Sequence, residues 1–100
     1  MFRLLIVDDE DVERNGLANL SVWAKLGYKY VDTSKNGFDA LERIEKSKPH
    51  VILTDIRMPE MDGLQLTKQI NARYPEIVTV VLSAYNDFEY ARQAILNGVK

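Results

Sequence analysis

Val51-Ile52-Leu53-Thr54-Asp55 decides how this chain folds. The run lies between Pro49 and Pro59, and it is too short and too apolar for a helix. It reads as an interior parallel strand, buried on both faces, with Thr54 and Asp55 at its carboxyl end. A second apolar run, Leu4-Leu5-Ile6-Val7, closes on Asp8-Asp9, 46 or 47 residues earlier. Strands that end side by side gather three carboxylates at one edge of a sheet. Such a cluster is costly unless a cation or a function holds it there.

Elements of alternating type extend outward from these two runs. Residues 2–8 read as a strand with Arg3 as its one charged interruption. From about Asp11 the periodicity becomes helical, with Val12, Gly16, Leu20 and Trp23 as one stripe, Leu17 and Ala24 beside it, and Gly27 as its end. Residues 28–34 form a further strand around Tyr30 and Val31. Asn36 or Ser34 caps a helix carrying Phe38, Leu41 and Ile44, closed by Lys46, Lys48 and Pro49. Another helix runs from about Gly63 to Tyr74 and buries Leu66 and Ile70. After Pro75, Ile77-Val78-Thr79-Val80-Val81-Leu82 reads as a buried strand. Asn86 or Asp87 then caps a last helix with Phe88, Ala91 and Ile95, ended by Asn97-Gly98. The order is βαβαβαβα, an α/β domain of right-handed parallel units. Val99 and Lys100 stand where a fifth strand would begin, so an outer strand is expected to expose its ladder and invite swapping or pairing with a second copy.

Composition narrows the function classes. One hundred residues, 46% hydrophobic and 28% charged, make a single small globular domain. With a net charge of −2 and dispersed Lys and Arg, no nucleic-acid surface is apparent. The absence of cysteine excludes disulfides, thiolate chemistry and zinc-thiolate sites. The single histidine, His50, precedes the third strand, away from the acidic edge, and is expected to serve in packing or at the surface. No apolar stretch reaches membrane-spanning length and no signal-peptide pattern precedes the first strand, so a cytoplasmic location is expected.

Open α/β sheets place their working groups beyond the carboxyl ends of the strands. That rule collects Asp8, Asp9, Asp55 and Ser83. Taken singly each has a plain reading, since Asp-Asp after a strand is commonly a turn and helix cap. Placed together at successive strand ends, they suit a magnesium ion, which takes about six oxygen ligands and keeps several waters. An aspartate beside that metal can act as a nucleophile towards phosphorus, and the Ser83 hydroxyl can donate to a phosphoryl oxygen.

These residues resemble the receiver domain of bacterial two-component response regulators. The likeness rests on Leu5-Ile6-Val7-Asp8-Asp9-Glu10, on Thr54-Asp55-Ile56-Arg57-Met58-Pro59 with Met61-Asp62-Gly63, and on Val81-Leu82-Ser83-Ala84. It implies a flavodoxin-like, three-layer αβα fold, doubly wound with strand order 2-1-3-4. It also implies that Asp55 takes a phosphoryl group from a sensor histidine kinase. Asp8, Asp9, Asp55 and the backbone carbonyl of Arg57 would hold Mg2+, and Ser83 would be the switch hydroxyl. The chain would then be a phosphoacceptor rather than a turnover enzyme. The family's fifth strand, ending in lysine and proline after an aromatic residue, has no counterpart within residues 1–100, and Lys100 falls too early for that lysine. The expectation is therefore a carboxyl-terminally truncated receiver, four βα units of five.

Asn15-Gly16-Leu17, Trp23-Ala24-Lys25-Leu26-Gly27 and Ser83-Ala84-Tyr85-Asn86-Asp87-Phe88 resemble regulators with an arabinose-regulator-type helix-turn-helix domain. DNA would be reached only through that further domain. Two other readings stay open: an interaction fragment that keeps the acidic pocket, and a small magnesium-dependent phosphohydrolase using Asp9 or Asp55.

Overall fold

Successive side chains of a strand point to opposite faces, and in the first strand both faces are apolar. The computed structural model describes residues 2–82. They form β1 (Phe2–Val7), α1 (Asp11–Ala18), α2 (Val22–Lys25), β2 (Tyr28–Ser34), α3 (Gly37–Ser47), β3 (Val51–Asp55), α4 (Gly63–Arg73) and β4 (Val78–Leu82). The four strands make one parallel sheet in the order β2-β1-β3-β4. Leu5 and Val7 face a core built with Ile52, with Ala40 and Ile44 of α3 and with Leu66 and Ile70 of α4. Leu4 and Ile6 face the other way, onto Leu53, Trp23 and Tyr28, with Leu17 packed against them. Helices thus cover both faces, giving the expected three-layer arrangement. Each fully buried Leu or Ile contributes about 2 kcal/mol by leaving water.

The bounds of β2 and β3 fall where the sequence places them. So does α4, whose capping box joins Asp62 and Gln65: the Gln65 N–H donates to Asp62 Oδ1 at 2.8 Å, and Gln65 Oε1 accepts from the Asp62 N–H at 3.0 Å. At α3 the choice of cap resolves to Asn36, whose Oδ1 accepts from the Asp39 N–H at 2.8 Å. Ser34 instead donates to the Asp39 carboxylate at 2.7 Å and supports the same turn. Lys48 ends α3 in the left-handed region, at φ 48°.

Three expectations are corrected. The single helix from Asp11 to Gly27 is broken into α1 and α2. The Trp23 indole N–H donates to the Leu17 carbonyl at 2.6 Å, and the Leu20 N–H turns back to the same oxygen at 3.3 Å. In a continuous helix that oxygen would accept from residue 21. Beyond the break Trp23 is buried, while Leu20 is exposed and Val12 is 88% exposed because Leu17 and Ala18 are the α1 residues packed against the core. In α3 the buried stripe is Gly37, Ala40 and Ile44, because Met61 packs over Gly37, and Phe38 is left 52% exposed. Lastly, β4 begins at Val78 and is only half-buried along its length. Among the described strands it is one of two at an edge, with β2 at the other, and it pairs with β3 alone. Ser83 and the expected final helix with Phe88, Ala91 and Ile95 lie outside the described residues.

Candidate functional site

The register of β1 against β3 builds the site. Val7 is paired with Thr54, so one further residue along each strand sets Asp8 beside Asp55. Neighbouring strands lie about 4.8 Å apart, a spacing that forces the two carboxyl groups into one another's field. The ladder continues past both strand ends: the Asp8 N–H donates to the Ser34 carbonyl at 3.1 Å, and the Ile56 N–H to the Leu82 carbonyl at 3.1 Å. Asp9 follows Asp8 out of the strand and is exposed, whereas Asp55 is half-buried. One carboxylate oxygen from each of Asp8, Asp9 and Asp55 lies within 4.8 Å of the others. The three aspartates predicted to meet do meet.

Their surroundings fix them firmly. Asp8 is 2% exposed, and its Oδ1 accepts from the Glu10 N–H at 2.9 Å. Arg14 Nη1 donates to the Asp8 carbonyl at 2.9 Å, tying the first turn of α1 to the strand end. Behind Asp55 sits Gly63, whose N–H donates to the Ile56 carbonyl at 2.8 Å. A Cβ at Gly63 would lie 2.3 Å from the Asp55 carbonyl oxygen, so only glycine admits this approach of α4 to the strand end.

Burial pushes the Asp8 carboxyl up from its usual 3.8 to about 6, and the charges of Glu13, Asp55 and Asp9 act in the same direction. The Glu10 N–H opposes this without overcoming it. Asp55 is also raised, by burial first and then by the Asp9 charge, while the backbone N–H groups of Ile56 and Arg57 and the Arg57 charge pull it back. Like charges crowded together destabilise the ionised forms, and a cation among them reverses that. The donors are all hard oxygens, which suits magnesium or a similar divalent ion.

The carboxylates open into a cavity of about 850 Å³ that is also lined by Glu13, Arg57, Met58 and Leu64. Arg57 therefore borders the site. Glu13 was not among the residues foreseen. Its side chain comes within hydrogen-bonding reach of the Asp8 carboxyl group, and burial followed by the charges of Asp55, Glu10 and Asp9 raises its pKa. The signal was present in the sequence: helical side chains lean towards the amino end of their helix. An acid in the first turn after Asp8-Asp9 therefore leans back over the strand ends. His50 lies remote from this edge, its Nδ1 accepting from the Arg3 N–H at 3.0 Å and its ring edge-on to Phe2.

Comparison with known proteins places this arrangement in context. A protein-family model described as "Response regulator receiver domain" matches residues 4–100. The chain is 40% identical over 100 residues to the uncharacterized transcriptional regulatory protein YesN of Bacillus subtilis (strain 168), covering all of this chain and 27% of that relative. It is 35% identical over 99 residues to the transcriptional regulatory protein HptR of Staphylococcus aureus (strain NCTC 8325 / PS 47), covering 99% of this chain and 38% of that protein. The chain thus spans well under half the length of these relatives. Among solved structures, a two-component transcriptional regulator AraC from Clostridium phytofermentans superposes with a TM-score of 0.76 at 40% identity, covering 94% of this chain and 73% of that one. The receiver domain of AraT, a response regulator from Geobacillus stearothermophilus, gives 0.75 at 33% identity, covering 95% and 74%.

Proposed function

This chain belongs to the response regulator receiver domain family, and we propose that its residues 1–100 form one receiver domain whose phosphoacceptor is Asp55. The observation that carries the reading is the convergence of Asp8, Asp9 and Asp55 within 4.8 Å at the ends of adjacent strands. The donor is the phosphohistidine of a sensor kinase. An Asp55 carboxylate oxygen forms a bond to phosphorus while the phosphorus–nitrogen bond breaks, and its electron pair leaves on the imidazole nitrogen, which takes up a proton. Asp8, Asp9, Asp55 and the Arg57 carbonyl would hold Mg2+, and the ion would supply positive charge beside the phosphoryl oxygens. Asp8 is the most buried of the three aspartates and accepts from the Glu10 N–H. Gly63 sets the depth of Asp55 by packing on its main chain. Ser83 supplies the hydroxyl that meets the phosphoryl group.

The relatives named as transcriptional regulators support a further step. The full-length protein is a DNA-binding regulator in which phosphorylation of this domain governs a separate output domain, through a partner or second-subunit surface. A cytoplasmic location accords with this role. Among the described residues no helix is long and apolar enough to cross a membrane.

Intact-mass measurement after incubation with acetyl phosphate tests the proposal. A gain of one phosphoryl group that requires magnesium and disappears in Asp55→Asn is the expected result. A folded protein that gains nothing, or gains the group equally in Asp55→Asn, overturns it. Sustained hydrolysis of phosphate monoesters would instead favour a phosphohydrolase.

A further inference from the structure

Glu13 stands at the acidic pocket without joining its convergent carboxylates. It lies in the first turn of α1 and lines the same cavity as Asp8, Asp9 and Asp55. Its carboxyl group is within hydrogen-bonding reach of Asp8 and experiences the charges of Asp55 and Asp9. Yet among the described residues the oxygens that close to within 4.8 Å of one another belong to the three aspartates, and Glu13 is not of their number. It sits one layer further out. The cation beside it is otherwise engaged, since Arg14 donates to the Asp8 carbonyl and pairs with Asp11.

A carboxylate at that distance has a definite use. A hard divalent cation on three carboxylates and a carbonyl retains water in its remaining positions. Such water is strongly polarised and donates best to a charged oxygen. Groups that hold a metal's coordinated water or orient its ligands typically alter metal affinity by about 10-fold to 100-fold when removed. Resting on the cation site proposed above, we infer that Glu13 is a positioning residue of that site, accepting a hydrogen bond from a water on the bound cation and holding that water between itself and Asp8. The role adds a fourth carboxylate to the pocket without adding a direct ligand. It also accounts for an acid leaning into a space already crowded with negative charge.

Calorimetric titration with magnesium chloride tests this in the wild type, Glu13→Ala, Glu13→Gln and Asp11→Asn. Asp11 shares the helical turn and the charge of Glu13 but does not line the cavity. The expected result is a Kd for Mg2+ weakened about tenfold in Glu13→Ala and about unchanged in Asp11→Asn. Glu13→Gln, which keeps the side-chain volume, gives the same reading should the alanine variant fail to fold. Affinity unchanged in both Glu13 variants, or weakened equally by Asp11→Asn, overturns the role of Glu13 and leaves the cation site standing. A wild type that shows no saturable binding removes the cation site itself, and the role of Glu13 with it.

Discussion

Replacing Asp8 by asparagine should make the metal-free protein more stable at neutral pH. The buried carboxyl has its pKa raised from 3.8 to about 6, by burial first and by Glu13, Asp55 and Asp9 after it. The folded state therefore holds this proton more tightly than the unfolded chain does. Stability from that source is fully present below the unfolded value and is lost as pH rises through about 6. A displacement of about 2 units at 1.36 kcal/mol per unit corresponds to at most about 3 kcal/mol. Asparagine keeps an oxygen to accept the Glu10 N–H and cannot ionise, so it removes the penalty while preserving the local bond. Urea unfolding followed by circular dichroism, in chelator at about pH 4 and about pH 7.5, measures the effect. The stability of Asp8→Asn relative to wild type should rise by up to about 3 kcal/mol between those conditions. Saturating magnesium should narrow the gap at the higher pH, because it stabilises the ionised wild type selectively. Parallel pH dependences in the two proteins, with no divergence across that interval, would refute the reasoning.

Two further changes probe the supports of the site. Gly63→Ala places a methyl carbon 2.3 Å from the Asp55 carbonyl oxygen and 3.0 Å from Ile56 Cα, both backbone atoms without room to yield. It should cost about 1–3 kcal/mol and slow phosphorylation of Asp55; a wild-type melting temperature together with a wild-type rate would show that the contact is slack. Asn36→Ala removes the acceptor for the Asp39 N–H. A loss of about 1 kcal/mol in thermal unfolding is expected, and no change would mean that Ser34 alone sustains that turn.

The sheet was legible because β1, β3 and β4 are nearly pure apolar runs, and β2 carries strand formers between Gly27 and the Asn36 cap. Val51–Asp55 and Tyr28–Ser34 needed no tertiary information to be bounded. The helices were legible in number and position more than in facing. Val12 and Phe38 fit an amphipathic stripe, yet both are exposed. In α1 it is Leu17 and Ala18 that pack against the core, and in α3 Met61 packs over Gly37. The three aspartates could be gathered from strand ends alone, since parallel register does the rest. Glu13 could not be gathered by that rule, because it enters the site from a helix and is placed by side-chain direction.

The bond that breaks the first helix has an optical consequence. Trp23 is the one tryptophan of the chain. Its indole is fully buried and donates to the carbonyl of Leu17, a residue that also lines the acidic cavity. Any displacement of α1 on filling that cavity would reach the indole through this hydrogen bond. The emission of the protein should therefore shift on titration with magnesium, a fluorescent gauge of the pocket with no label attached.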